Sequence, residues 1–255
     1  MNRILKPIAA SFAFASMASG AITWNTPQNI ANDLTQISTT GDLVYAYNFT
    51  NVNTGVTTVN TVNFTNTNTA SVAGSYTFSF LSPSTTITVG TDVSLGSGAY
   101  NGLDAAYKAL IGREIRTGGG TANGPSNPAG VGVANDGYYN GYRLTLNGLT
   151  DGASYQIQIW INDSRNANTA YLGFGHLDES VLVDYNTSDA AGGIGQYVIG
   201  EFVATGTSQS FEFKTAAAEV NNVALLNAFQ VRQVPEPSAA LLGVLGLFGL
   251  VRRRR

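Results

Sequence analysis

Leu146-Asn-Gly-Leu-Thr-Asp-Gly-Ala-Ser-Tyr-Gln-Ile-Gln-Ile-Trp-Ile-Asn-Asp-Ser-Arg165 is the stretch that decides the fold. From Tyr155 onward it alternates: Tyr155, Ile157, Ile159 and Ile161 fall on one side, Gln156, Gln158 and Trp160 on the other. A period of two is the signature of a strand, because successive side chains leave a pleated backbone in opposite directions. Asn147-Gly148 and Asp151-Gly152 lead into the strand, and such pairs favour turns. Tyr142, Leu144 and Leu146 repeat the alternation on the other side of those turns.

Outward from this point the pattern recurs. Further strands are predicted at Thr169 to Phe174, Ser180 to Tyr185, Tyr197 to Val203, Gln209 to Lys214 and Leu225 to Arg232. Toward the start of the chain, Leu43, Tyr45, Tyr47 and Phe49 alternate, as do Tyr76, Phe78 and Phe80. Pro83 interrupts, and Ile87 and Val89 resume. The Asn/Thr tract from Asn48 to Thr69 reads as exposed hairpins, since β-branched Thr suits strands and Asn suits turns. Short strands with polar turns predict a mostly β chain, folded as a single antiparallel β-sandwich over residues 22–233.

One helix interrupts the strands. Leu103, Ala106, Tyr107, Leu110 and Ile111 share a helical face, with Asn101 placed to cap its start and Gly112 its end. It is expected to cover one end of the sandwich. The Gly-, Asn- and Pro-rich stretch from Thr117 to Gly137 is long enough to be a functional or mobile loop.

Composition narrows the function. Charged residues make up only 11% of the chain, against about 25% in an ordinary domain. The net charge of −3 includes basic residues at both ends, so the body is more acidic still, and nucleic-acid binding is excluded. With no Cys and one His, thiolate chemistry and zinc sites are excluded too. His176 sits in Gly175-His176-Leu177-Asp178-Glu179, which reads as a polar turn, so no catalytic residue is assigned. Calcium needs six to eight oxygens, and Asn162, Asp163, Asp178 and Asp184 are its only candidate ligands, without an EF-hand or repeat spacing. Trp160 with Gln156 and Gln158 is the candidate ligand face, because an aromatic ring can stack on a sugar while amides bind its hydroxyls. Against that stands a covered sheet in which Trp160 is core. Tyr138, Tyr139 and Tyr142 are either a second aromatic platform or the entry to a strand.

The two ends carry addresses. Met1 to Lys6 is basic, Pro7 to Met17 is apolar, and Ala18, Ser19, Gly20 and Ala21 are small, the order of a secretory signal peptide over residues 1–21. The tail, residues 234–255, reads Val234-Pro235-Glu236-Pro237-Ser238, then an apolar run from Ala239 to Val251, then Arg252, Arg253, Arg254 and Arg255. Prolines keep the first part extended, the run can enter a bilayer as a helix, and the arginines stop it on the cytoplasmic side. A helix of that run spans about 20 Å against a hydrocarbon core of about 30 Å, short for a permanent anchor.

This tail resembles the PEP-CTERM sorting signal of Gram-negative bacteria. The resemblance implies export, transient insertion in the inner membrane, processing by an exosortase, and a final place at the cell surface or outside the cell, in an exopolysaccharide or biofilm setting. The body, on residues 146–165 and the closing 225–232, resembles galactose-binding-like jelly rolls. Together these lead to the expectation of a non-enzymatic surface or matrix protein that binds extracellular polysaccharide. Two alternatives stay open: a carbohydrate-active hydrolase of jelly-roll type, which needs two carboxylates in one cleft, and a structural surface protein without a ligand.

Overall fold

A computed structural model describes residues 22–80, 87–117, 138–165, 171–176, 179–216 and 224–235. Residues 1–21, read above as a signal peptide, most of the Gly-rich stretch (residues 118–137), and residues 236–255 lie outside the described residues. The strands run in chain order as β1 (Ile22–Trp24), β2 (Gln28–Asn29), β3 (Asp42–Phe49), β4 (Val56–Val59), β5 (Val62–Thr67), β6 (Ser71–Val72), β7 (Tyr76–Phe80) and β8 (Ile87–Asp92). After α1 (Gly98–Asn101) and α2 (Ala105–Ile111) come β9 (Arg113–Thr117), β10 (Tyr138–Asn147), β11 (Ser154–Ile161), β12 (Tyr171–His176) and β13 (Glu179–Asp184). β14 (Gln196–Val203), β15 (Ser208–Ala216), β16 (Leu225–Leu226) and β17 (Ala228–Gln233) complete the body.

These strands form three sheets. The eight-stranded sheet has the order β1-β14-β11-β17-β3-β5-β4, with β2 also on β14. The six-stranded sheet runs β13-β12-β15-β10-β7-β6, and a three-stranded sheet runs β16-β9-β8. The two larger sheets face each other across an aromatic core. Phe229 of β17 meets Tyr76 of β7 edge-on at 5.4 Å, and Phe202 of β14 meets Phe211 of β15 at 5.4 Å. Within the sheets, Tyr142 stacks on Phe213 at 4.9 Å and Tyr155 on Phe202 at 5.6 Å. Offset and edge-on ring pairs of this kind add to the burial of their large apolar area.

Three expectations change. The third sheet was not predicted. Pairing is antiparallel except between β3 and β5, which run parallel, because the Asn/Thr tract folds as the β4–β5 hairpin and its second strand docks beside β3. The single helix is two short ones. Asp104, not Asn101, caps α2, its carboxylate accepting the Ala106 N–H at 2.8 Å. Gly112 does end it.

The helices also lie elsewhere than expected. They cover the outer face of the eight-stranded sheet rather than an end of the sandwich. Tyr100, Leu103, Tyr107, Leu110 and Ile111 pack there with Val59, Val62, Phe64 and Trp160 in a second apolar cluster. Both faces of β11 are therefore buried.

Asn227 ties this layer to the sheets. Its amide donates to the carbonyls of Ile111 and Arg113 at 2.9 Å and of Asn162 at 3.1 Å, while its Oδ1 accepts the Asn162 N–H at 2.6 Å. The Ile111 carbonyl belongs to the last turn of α2 and needs such an outside partner.

Candidate functional site

β11 positions the residues expected to bind a ligand, and its surroundings remove them from solvent. Trp160 is 0% exposed and meets Phe64 edge-on at 5.5 Å. Gln158 is equally buried. Its Oε1 accepts the Ser38 N–H at 2.9 Å and the Gln230 Nε2–H at 2.8 Å, and its own Nε2 donates to the Gln36 carbonyl at 2.6 Å. Gln156 accepts the Ser38 hydroxyl. The Trp160–Gln156–Gln158 face is thus corrected from a sugar platform to an interior surface, because the helices and the segment around Gln36–Thr40 lie over it. The glutamines clamp that segment, and Arg232 extends the clamp by donating to the Gly41 carbonyl at 2.8 Å.

Tyr142 is also core, fully buried against Phe213 and Phe78, which excludes it from a surface platform. Tyr138 and Tyr139 begin β10, so they are a strand entry, and their side chains lie outside the described residues. His176 closes β12 rather than occupying a turn. Asp178 lies outside the described residues.

The calcium reading of the remaining oxygens does not survive their partners. Asn162 Oδ1 accepts the Gly195 N–H at 3.0 Å, and Asp184 Oδ1 accepts the Asn186 N–H at 2.8 Å. Both oxygens of Asp163 are held by the Arg165 guanidinium, at 3.0 and 2.8 Å. Among the described residues, His and acidic side chains form no group of three that could hold a metal ion.

Around Asp163 lies a charged cluster that sequence reasoning missed. Glu114 of β9 is fully buried, with Arg116 Nε at 2.8 Å and Arg165 Nη2 at 3.8 Å from its Oε1. Arg116 Nη2 also lies 3.8 Å from Asp163 Oδ2. Burial pushes the Glu114 carboxyl up to about 8, against the pull of Arg116 and with the push of Asp163. Among the described residues neither Glu114 oxygen finds a well-aligned hydrogen bond, and the buried Tyr142 hydroxyl finds none. A signal was present: Arg113-Glu114-Ile115-Arg116 puts Glu114 and Arg116 on one strand face in a chain with few charges. The cluster has the wrong character for glycoside hydrolysis, since one carboxylate is sealed in and the other is fully engaged by arginine.

An open concavity lies close by. A cleft of about 370 Å³ is bounded by the loop after β3, the β4–β5 hairpin, the end of β8 and the last turn of α2. Gly90 shapes its rim. Its positive φ of 79° bulges β8, and a side chain there would strike the Thr50 carbonyl. Arg113 donates to the Gly90 carbonyl at 2.9 Å and pairs with Asp92 at 3.3 Å.

The opposite end of the sandwich leads to the tail. β17 runs from Ala228, beside Trp160 and Asn48, to Gln233, beside Tyr155 and Asp42. The Val234 N–H makes the last bond, to the Ser154 carbonyl at 2.9 Å, and Pro235 is exposed. From Gln233 onward the chain matches a known family. Residues 233–255 are a PEP-CTERM protein-sorting motif.

This motif marks exported proteins that are processed at the membrane, and it is the signal an exosortase recognises. Val234 and Pro235 are its described members. Glu236, Pro237, Ser238 and Arg252 to Arg255 lie outside the described residues. No curated protein matches the chain. Among solved structures, it is similar to an exo-β-1,3-galactanase from Phanerochaete chrysosporium, seen with β-1,3-galactotriose at 18% identity and a TM-score of 0.30. The same enzyme with galactose gives 18% identity and a TM-score of 0.28. Each alignment covers 63% of this chain and 30% of the enzyme, so the chain spans under a third of its length. Likeness at that level defines neither a shared fold nor a shared activity.

Proposed function

We propose that this chain is a non-enzymatic surface or extracellular-matrix protein, a jelly-roll-type sandwich over residues 22–233 that is released from a membrane-held form by an exosortase and contacts extracellular polysaccharide. The observation that carries the reading is the junction at Gln233. The sorting motif begins on the last residue of a strand lying between β11 and β3, and one further backbone bond separates the fold from Pro235. Cutting beyond that bond leaves the sandwich whole. The sealed Glu114 and the arginine-bound Asp163 favour the non-enzymatic reading over the hydrolase.

Glu236→Ala tests the junction in the native host. The variant is expected to accumulate as a longer, membrane-fractionating species, read by intact mass. A wild-type protein that reaches its final location with Arg255 still attached would overturn the processing step.

A further inference from the structure

The register of β17 places the cleft at the end of the sandwich away from the sorting tail. Ala228 pairs with Trp160 and Asn48, and the chain continues past Asn48 to Thr50 and Asn51 on the cleft wall. Gln233 ends the strand on the other side, about 20 Å away at the usual strand rise. The cleft and the start of the sorting motif thus lie toward opposite ends of β17.

The lining has a definite chemistry. Its volume of about 370 Å³ is within the usual range of ligand sites, roughly 300–1,000 Å³. Asn51 supplies an exposed amide, while the Thr57 hydroxyl donates to Asn66 Oδ1 at 2.9 Å and accepts the Asn48 amide at 3.1 Å, so these two form a neutral, internally bonded wall. Tyr100 is buried, its hydroxyl donating to the Lys108 carbonyl at 3.0 Å, so it offers no stacking face. Asp92 is the one acid among the lining residues, and Arg113 at 3.3 Å together with the Ser94 hydroxyl at 2.6 Å occupies it. Among the described residues Lys108 makes one side-chain bond, to the Asn101 carbonyl at 3.2 Å, and an ammonium has three donors. The cleft thus offers neutral polar groups around one uncompensated positive charge.

We infer that this cleft binds a short segment of an acidic polysaccharide, with a uronate carboxylate set against Lys108 and a ring hydroxyl against the Asn51 amide. The inference rests on the polysaccharide part of the proposed function and adds the site and the class of sugar. Full-length protein in mild detergent, titrated calorimetrically with tetragalacturonate, maltotetraose and sodium acetate, tests it. Tetragalacturonate is expected to bind, more weakly as salt is added, while the neutral sugar and acetate do not. Lys108→Gln is expected to weaken it about tenfold or more, the loss of one charge-assisted hydrogen bond, with the melting temperature unchanged. Should Lys108→Gln also melt early, Asn51→Ala on the exposed loop must weaken binding by itself. No binding of tetragalacturonate, equal affinity for maltotetraose, binding of acetate as strong as of the sugar, or wild-type affinity in either variant overturns the inference. Export is judged separately by the fate of Glu236→Ala, so failure in one experiment does not mimic failure in the other.

Discussion

Along β11 the side chains enter two enclosures built on different chemistry. Tyr155, Ile157, Ile159 and Ile161 join an aromatic and aliphatic core between two sheets. Gln156, Gln158 and Trp160 point the other way, under a thin cover of two short helices and the segment around Gln36–Thr40. The inner face is held by apolar area, which is non-directional and tolerates small shifts. The outer face is half apolar, around Trp160, and half held by amide hydrogen bonds that fix the cover in one register. Burial alone does not tell these faces apart, but their response to substitution should.

Trp160→Ala should have the largest effect, a loss of about 3–5 kcal/mol, because it empties the centre of the outer cluster. Thermal or urea unfolding measures it. A loss below about 1 kcal/mol would show that the helical cover is dispensable and the outer face only nominally interior.

Gln158→Ala should cost less, about 1–3 kcal/mol, by stranding the Ser38 N–H and the Gln36 carbonyl and removing one of the two bonds of the Gln230 amide. Its mark should be local. Amide exchange at Ser38 should rise well before global unfolding, while the amides of β10 and β15 stay protected. Uniform loosening would mean that the two faces melt as one.

Glu114→Gln should be the smallest change at pH 4, within about 0.5 kcal/mol, since the carboxyl is neutral there in the folded chain and mostly neutral in the unfolded one. The folded state keeps the Glu114 proton that the unfolded chain releases above its ordinary value of 4.5. The stability this contributes is full below 4.5 and is lost as pH rises through about 8. Melting from pH 4 to 9 should therefore show the wild type falling behind the variant on the alkaline side. Parallel curves would mean that Arg116 and Arg165 keep Glu114 charged throughout.

Most of the strand content was legible because alternation is a local property, visible in Tyr155 to Ile161 and Tyr76 to Phe80. The environment of each face was not local. Alternation placed Trp160 opposite the isoleucines, but only tertiary structure reveals that Phe64 and Tyr107 pack in the cluster that buries it. The β3–β5 parallel pair escaped for a similar reason, since Thr and Asn residues give no register signal strong enough to choose a neighbour. Of the candidate site residues, the tail was legible because its parts are contiguous. The Glu114–Asp163 cluster was not, because it joins positions that are far apart in the chain.

The place of β17 has a consequence for timing. In chain order it is the last of the described strands, yet in space it sits between β11 and the much earlier β3. Until residues 228–233 have arrived, those two neighbours lack a shared partner and the larger sheet stays split down its middle. The pairing that heals it, Asp42 with Gln233, spans most of the body, and such distant contacts form slowly. A chain threaded outward from its amino-terminal end would thus emerge as two unjoined halves. The closing strand lies directly before the sorting motif, so completion of the sheet waits on the very part of the chain that carries that motif.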